Sequence, residues 1–328
     1  MSKKSLTTKK PLYIFFHTQK CAGSTLRYHL ERNFQEDEVI FLYLHGHFDV
    51  RNKIHEPFRT KKFREAVDTY LSRLTGEQKD RVRVLCGHEI YYGIHQFFPN
   101  KEPKYVTFVR HHVVREVSMY NFHRDHVENP SFYPPEDQKE AYGSITLNER
   151  KLSFEGWLNA KKWHSNFMFK VLKQHGFGKT IEDILKKFYF IGSAENYNTD
   201  ALFLYHLLGI KKFYSDQNIS KKYVDAKNLS KELRDFLDER NKKDMRLYEH
   251  ALFLNKNFKK KSLYFWYAVF CVKMIRMPLA KFKVFRSRHK TPLRIAYDAS
   301  FILRHRIPFY ARLLDALKQR VKTPISLQ

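Results

Sequence analysis

The strongest constraint on this chain is the apolar run Leu12-Tyr13-Ile14-Phe15-Phe16, which leads straight into His17-Thr18-Gln19-Lys20-Cys21-Ala22-Gly23-Ser24-Thr25-Leu26. A short, unbroken apolar run bounded by Pro11 and a polar loop reads as a strand buried on both faces. Such a strand belongs in a parallel sheet covered by helices. Ser24 to Phe34 then reads as a helix, with Leu26 and Leu30 one turn apart on one side. A strand, a loop of small residues and a helix N-terminus together make an anion site, because backbone N–H groups point outward and the helix dipole favours negative charge. Ala22 and Gly23 let the backbone approach a phosphate, Ser24 and Thr25 add hydroxyl donors, and Lys20 adds a cation.

The same alternation continues downstream. Val39–Leu42, Val82–Cys86, Tyr105–Val109 and Phe188–Gly192 read as further strands. Helical spacing covers residues 58–74, 113–123, 154–172, 199–208 and 230–254. The expected fold is therefore α/β: a three-layer, P-loop-like domain with a central parallel sheet flanked by helices. Thr180 with Asp183, and Ser230 with Glu232, read as helix-opening capping pairs. Residues 125–150, with Pro130, Pro134, Pro135 and Gly143, read as a surface excursion of the kind that often meets substrate. The expected organisation is a basic, disordered N-terminus over 1–10, a catalytic domain over 11–255, and a basic, aromatic helical extension over 256–328. The apolar run Leu263–Val272 in that extension falls well short of the ~20 residues that span a bilayer.

Charge narrows the partners. Lys and Arg number 61 against 34 acidic residues, a formal net charge of +27. That field attracts nucleotides, anionic glycans, nucleic acid or anionic lipid, and charge alone does not choose among them. The three cysteines are odd in number and widely spaced, so no disulfide framework is expected. No Cys/His spacing resembles a zinc site, and no metal is expected. Reduced thiols and an N-terminus without an apolar signal region suggest the cytoplasm. The basic aromatic extension suits peripheral contact with the inner face of a membrane; packing on the domain or self-association is the other reading.

The loop is not a Walker A loop, because Lys20 precedes the glycine instead of following it. Lys20-Cys21-Ala22-Gly23-Ser24-Thr25 after an apolar strand resembles the 5′-phosphosulfate loop of sulfotransferases that use 3′-phosphoadenosine 5′-phosphosulfate (PAPS). The likeness is greatest to the membrane-type, glycan-modifying branch that includes the heparan-sulfate 2-O-sulfotransferases. The segment Tyr105–Tyr120, YVTFVRHHVVREVSMY, resembles that family's strand, Arg-Asp-Pro turn and helix, with Arg110, Arg115, Ser118 and Tyr120 in register. It departs from the family at His111-His112, where the Asp-Pro is lost. Asn166, the Gly-x-x-Glu of FIGSAENYN, Asn218–Lys221 and DMRLYEHA extend the likeness over residues 11–251.

The resemblance implies that Lys20, Cys21, Ala22, Gly23, Ser24 and Thr25 hold the 5′ end of PAPS, while Arg110 and Ser118 hold its 3′-phosphate. The product would be 3′-phosphoadenosine 5′-phosphate, and no metal is involved. Sulfuryl transfer needs a base for the acceptor hydroxyl and a cation at the leaving oxygen. His88 closes the strand Val82–Cys86 and stands 22 residues before Arg110, as the family's Gly-His base does; Lys20 is the candidate at the leaving group. His17, His45, His47 and Arg115 are candidates for substrate contact. The expected acceptor is a carbohydrate hydroxyl, on an anionic polysaccharide or a glycolipid. Two other classes stay open at this point. One is a P-loop kinase of a small molecule or glycan. The other is a basic nucleic-acid-binding protein, which the charge and 16% aromatic content permit although no recognisable binding module is present and no nucleic acid is expected.

Overall fold

The computed structural model describes residues 9–42, 61–128, 152–160, 165–214 and 221–277. His45, His47, Asn218–Ser220 and most of the proline-rich segment 125–150 lie outside them, as does the chain after residue 277. Compact packing divides the chain into two units, Met1–Tyr197 with Asp216–Leu254 and Asn198–Ser215 with Asn255–Gln328.

The first unit contains the sheet. β1 (Lys10–Phe16), β2 (Val39–Leu42), β3 (Val84–Gly87), β4 (Lys101–Val109) and β5 (Phe190–Ser193) lie in the order β2-β3-β1-β4-β5, and every pairing is parallel. β1 is central, with Ile14 beside Leu85 on one side and Tyr105 on the other. Leu12, Ile14, Phe16, Leu85 and Phe108 are essentially inaccessible to water, as the sequence pattern demands of strands covered on both faces. β4 begins earlier than its apolar core suggests, and it carries Pro103. The strand tolerates this proline because β5 pairs only from Val106 onward, so the missing N–H falls where that edge is open.

Helices connect the strands: α1 (Gly23–Asn33), α2 (Lys61–Arg73), α3 (Gly76–Arg81), α4 (His112–Glu128), α5 (Phe154–Ala160), α6 (Phe167–Gln174) and α7 (Ile181–Leu185). They are followed by α8 (Tyr197–Leu208), α9 (Lys231–Arg240), α10 (Lys242–Lys261) and α11 (Leu263–Phe270). α4 packs through Val113, Val117 and Tyr120 against Phe154, Trp157 and Leu158 of α5 and Leu237 of α9. Trp157 is fully buried at the centre of this cluster, with its ring centroid 5.8 Å from that of Tyr120.

Two stretches with continuous helical spacing are broken in the structure. Residues 230–254 form α9 and α10, joined at Asn241, whose side-chain amide stays with α9 by donating to the Leu237 carbonyl at 3.0 Å. The 154–172 stretch contains α5 and α6, and Asn166, at φ 51°, starts α6. These two junctions hold each other. The Asn166 N–H donates to Asn241 Oδ1 at 2.8 Å, and Asn166 Oδ1 accepts the Lys243 N–H at 2.7 Å. Asp244 completes the latch by accepting the first N–H groups of α6, from Met168 at 3.0 Å and Phe169 at 2.8 Å. The Ser230–Glu232 capping box is corrected: the Ser230 hydroxyl accepts the N–H of Leu233, so Leu233 holds the third helical position and Glu232 the second. Thr180 does cap α7, accepting the Asp183 N–H at 3.1 Å.

Asp244 is fully buried, and burial raises its carboxyl above the ordinary range while Arg115 opposes the shift. Asp244→Ala removes a helix cap and leaves Arg115 short of a counter-charge. The expected loss is about 3–5 kcal/mol of unfolding free energy, seen as a lower urea midpoint.

Candidate active site

β1, β3 and β4 are adjacent in the sheet, and each delivers a candidate residue at its carboxyl end: the Lys20 loop after β1, His88 after β3 and Arg110 after β4. The connections leaving β1 and β4 run to opposite sides of the sheet, and open α/β sheets bind their ligands at such a reversal.

The loop after β1 is tightly folded. The His17 N–H continues the ladder by donating to the Gly87 carbonyl at 2.9 Å, and Cys21 N–H closes a turn onto the Thr18 carbonyl at 3.2 Å. Lys20 and Ala22 both have φ 64°, the left-handed region that costs an ordinary residue roughly 1–2 kcal/mol. Alternating left-handed residues aim successive N–H groups into one concavity, which is the geometry of an anion nest. α1 has no side-chain cap and no acidic residue in its first turn. Gly23 is obligatory, because a Cβ there would lie 2.0 Å from the His17 ring. His17 is therefore a packing group beneath the start of α1, buried and neutral. Burial pushes its pKa well below the ordinary histidine value, with His88 next among the causes. Thr25 is also buried, Ser24 is half-buried, and the Cys21 thiol is buried with its pKa pushed up to about 12, so it is inert.

Lys20 and Arg110 come together above this loop. Arg110 Nη1 donates to the Lys20 carbonyl at 3.0 Å, bracing the loop from the end of β4. The Lys20 ammonium stands 4.1 Å from the centre of the Phe122 ring. Burial, and secondarily the Arg110 charge, bring its pKa down from 10.5 to about 8. No ion pair joins either cation to an acid among the described residues, and two unneutralised cations at a backbone nest fit a phosphate-bearing ligand. Ser118 is half-buried on α4, eight residues beyond Arg110.

His88 is half-buried, with its ring stacked on His17 at 4.4 Å. Its Nδ1 lies 2.5 Å from the His17 carbonyl. A carbonyl only accepts, so Nδ1 carries the proton in the neutral ring and the lone pair belongs to Nε2.

Arg115, expected at the substrate, lies instead in the core. It is fully buried, paired with Glu116, and its guanidinium stands 4.4 Å from the centre of the Phe167 ring. In this position it balances Glu116 and Asp244 beneath the site.

The His111-His112 departure is compensated by residues remote in sequence. His111 N–H, at the start of α4, donates to Glu195 Oε1 at 2.9 Å, and the other oxygen of Glu195 accepts from Ser193 Oγ at 2.8 Å. His112 is buried and held below its ordinary pKa by burial, and its Nε2–H donates to Asp238 Oδ1 at 2.6 Å. Glu195 thus anchors the turn that carries Arg110. The Gly-x-x-Glu motif signalled that residue, but not its partner 84 positions away.

This end of the α/β sheet gathers the Lys20 loop, His88 and Arg110 at the carboxyl ends of three adjacent parallel strands. The sulfotransferase family model matches residues 4–251, and the chain belongs to that family. A comparison with curated proteins finds no match. Among solved structures, a sulfotransferase from Alicyclobacillus acidocaldarius is similar at 15% identity and a TM-score of 0.35, over 75% of this chain and 96% of that chain.

Glu195→Ala frees the turn before α4 and the guanidinium behind it. With 3′-phosphoadenosine 5′-phosphate as the probe, the dissociation constant measured by calorimetry is expected to rise about tenfold, the worth of one charge-assisted hydrogen bond. Glu195→Gln, which keeps an acceptor, should lose less.

Proposed function

We propose that this chain transfers a sulfuryl group from PAPS to a carbohydrate hydroxyl, with His88 as the base. The observation that carries this reading is the delivery of His88, Lys20 and Arg110 by neighbouring parallel strands to one edge, in a member of the sulfotransferase family. When bound, PAPS supplies an activated sulfuryl group and a phosphate leaving group. The backbone nest at Lys20–Gly23 and the α1 N-terminus suit its 5′ end, and Arg110 with Ser118 suits its 3′-phosphate. Lys20 places positive charge where charge grows on the leaving oxygen. His88 Nε2 takes the proton of the acceptor hydroxyl, and the His17 carbonyl holds the ring in that tautomer and favours the cation it becomes. The basic surface and the likeness to the 2-O-sulfotransferase branch favour an anionic polysaccharide or glycolipid as acceptor.

Two measurements test this reading. His88→Ala should lower turnover at saturating PAPS by about a hundredfold or more while leaving affinity for 3′-phosphoadenosine 5′-phosphate nearly unchanged; near-normal turnover overturns the base assignment. The second concerns Lys20. Its free amine titrates at about 8, and a phosphate beside it raises that value. Nucleotide binding should therefore take up a proton above about pH 8 and little near neutrality, as read by calorimetry in buffers of different ionisation enthalpy. Lys20→Met should abolish the uptake.

A further inference from the structure

The sulfuryl-transfer reading leaves the segment after Asn255 without a role, and the second unit shows what its surface can do. From Asn255 to Met277 the chain has six cations, Lys256, Lys259, Lys260, Lys261, Lys273 and Arg276, and no acidic residue. The interior of this unit is aromatic. Phe203 of α8 lies 5.5 Å from Phe258 and 5.0 Å from Phe265 between ring centres. Asp200, buried in the same place, is matched by Lys259 at 2.5 Å and by Asn255 Nδ2 at 3.3 Å.

α11 and the π-helical turn after it, Cys271–Arg276, use one side for this core: Phe265, Ala268 and Val272 are completely buried. The other side is also apolar. Leu263, Trp266 and Met274 are each 52% exposed, with Phe270 half-buried between Trp266 and Met274 in the sequence. Their spacing, three and then four and four, keeps them on one stripe opposite the core. Trp266 is not a loose side chain, because its Nε1–H donates to the Lys259 carbonyl at 3.0 Å. Lys260, Lys261 and Lys273 are exposed around the stripe.

We propose that this face docks on the surface of an anionic lipid bilayer, with the helix lying in the plane of the headgroups. No helix among the described residues is long and apolar enough to cross a membrane. An apolar stripe with an anchored indole, edged by lysines, combines acyl-chain burial with attraction to anionic headgroups. Charge disfavours a second copy of this chain as the occupant: two such faces would bring the exposed Lys260, Lys261 and Lys273 of each copy together, while Asp200 is already committed to Lys259 in the interior. This inference stands independently of the acceptor and of the catalytic reading.

The test uses the full chain with phosphatidylcholine vesicles, alone or doped with phosphatidylserine. Cosedimentation is expected with the doped vesicles, weakly or not at all with the neutral ones, and to decline with added salt. The triple variant Leu263→Ser, Trp266→Ser, Met274→Ser alters only exposed positions. It should lose about tenfold or more in vesicle affinity while keeping a cooperative thermal unfolding transition, shifted down by the loss of the Trp266–Lys259 hydrogen bond. Brominated lipid should quench tryptophan emission in the wild type, and Trp266→Phe should remove that quenching. Equal vesicle binding by the triple variant overturns the proposal, as does a failure of the wild type to bind doped vesicles. A wild type that is dimeric in the ultracentrifuge and a variant that is monomeric also overturns it, because the face would then be buried between copies.

Discussion

Two cations held together with no acid between them among the described residues are the constraint on which this site depends. Lys20 and Arg110 lie at the ends of neighbouring strands, and the Arg110 guanidinium binds the very carbonyl that Lys20 contributes. Such a pair is disfavoured in the absence of an anion: burial does most to lower the Lys20 pKa, and the Arg110 charge lowers it further. The fold sustains it by committing its acids elsewhere. Glu195 is turned onto the His111 N–H, Glu116 onto Arg115, and Asp244 onto the first turn of α6. Neutralising either cation with one of these carboxylates would remove the positive charge that suits a phosphate-bearing ligand.

The strands and the tight small-residue loop after β1 were legible in the sequence because their cause is local. A buried parallel strand must be an apolar run, and a loop that packs its helix start against a neighbouring ring must be small, so Leu12–Phe16 and Ala22-Gly23 announce themselves. The features that were not legible depend on distant partners. Helical spacing runs unbroken through Asn241, and only Asn166, 75 residues earlier, shows why the chain divides there. The α3 helix has no buried residue, so it leaves no apolar period to read; its signal is the capping box of Thr75 and Gln78. Arg115 stands in register with a functional motif, yet the side chain turns into the core, which a linear pattern does not reveal.

The loss of Asp-Pro before α4 illustrates the same division. Read locally, it removes the proline that starts a helix and an acid that could orient Arg110. In the fold, Glu195 after β5 holds the His111 N–H, and Asp238 takes the imidazole of His112. Tyr248 adds a hydroxyl beside Glu195, with its pKa raised by burial and by that carboxylate. The turn is therefore set by tertiary contacts, and its geometry does not depend on the residues that name the motif.

His17 ties the two halves of the proposed chemistry together. Its backbone carbonyl meets His88 Nδ1, and its ring fills the space that forbids a side chain at Gly23. One residue thus fixes both the tautomer of the candidate base and the closeness of the α1 N-terminus to the end of β1. A neutral ring suits this position, because a charged one would place a third cation beside Lys20 and Arg27. Burial ensures that neutrality, so the histidine next to the loop serves best as a support, with its carbonyl on His88 and its ring under Gly23.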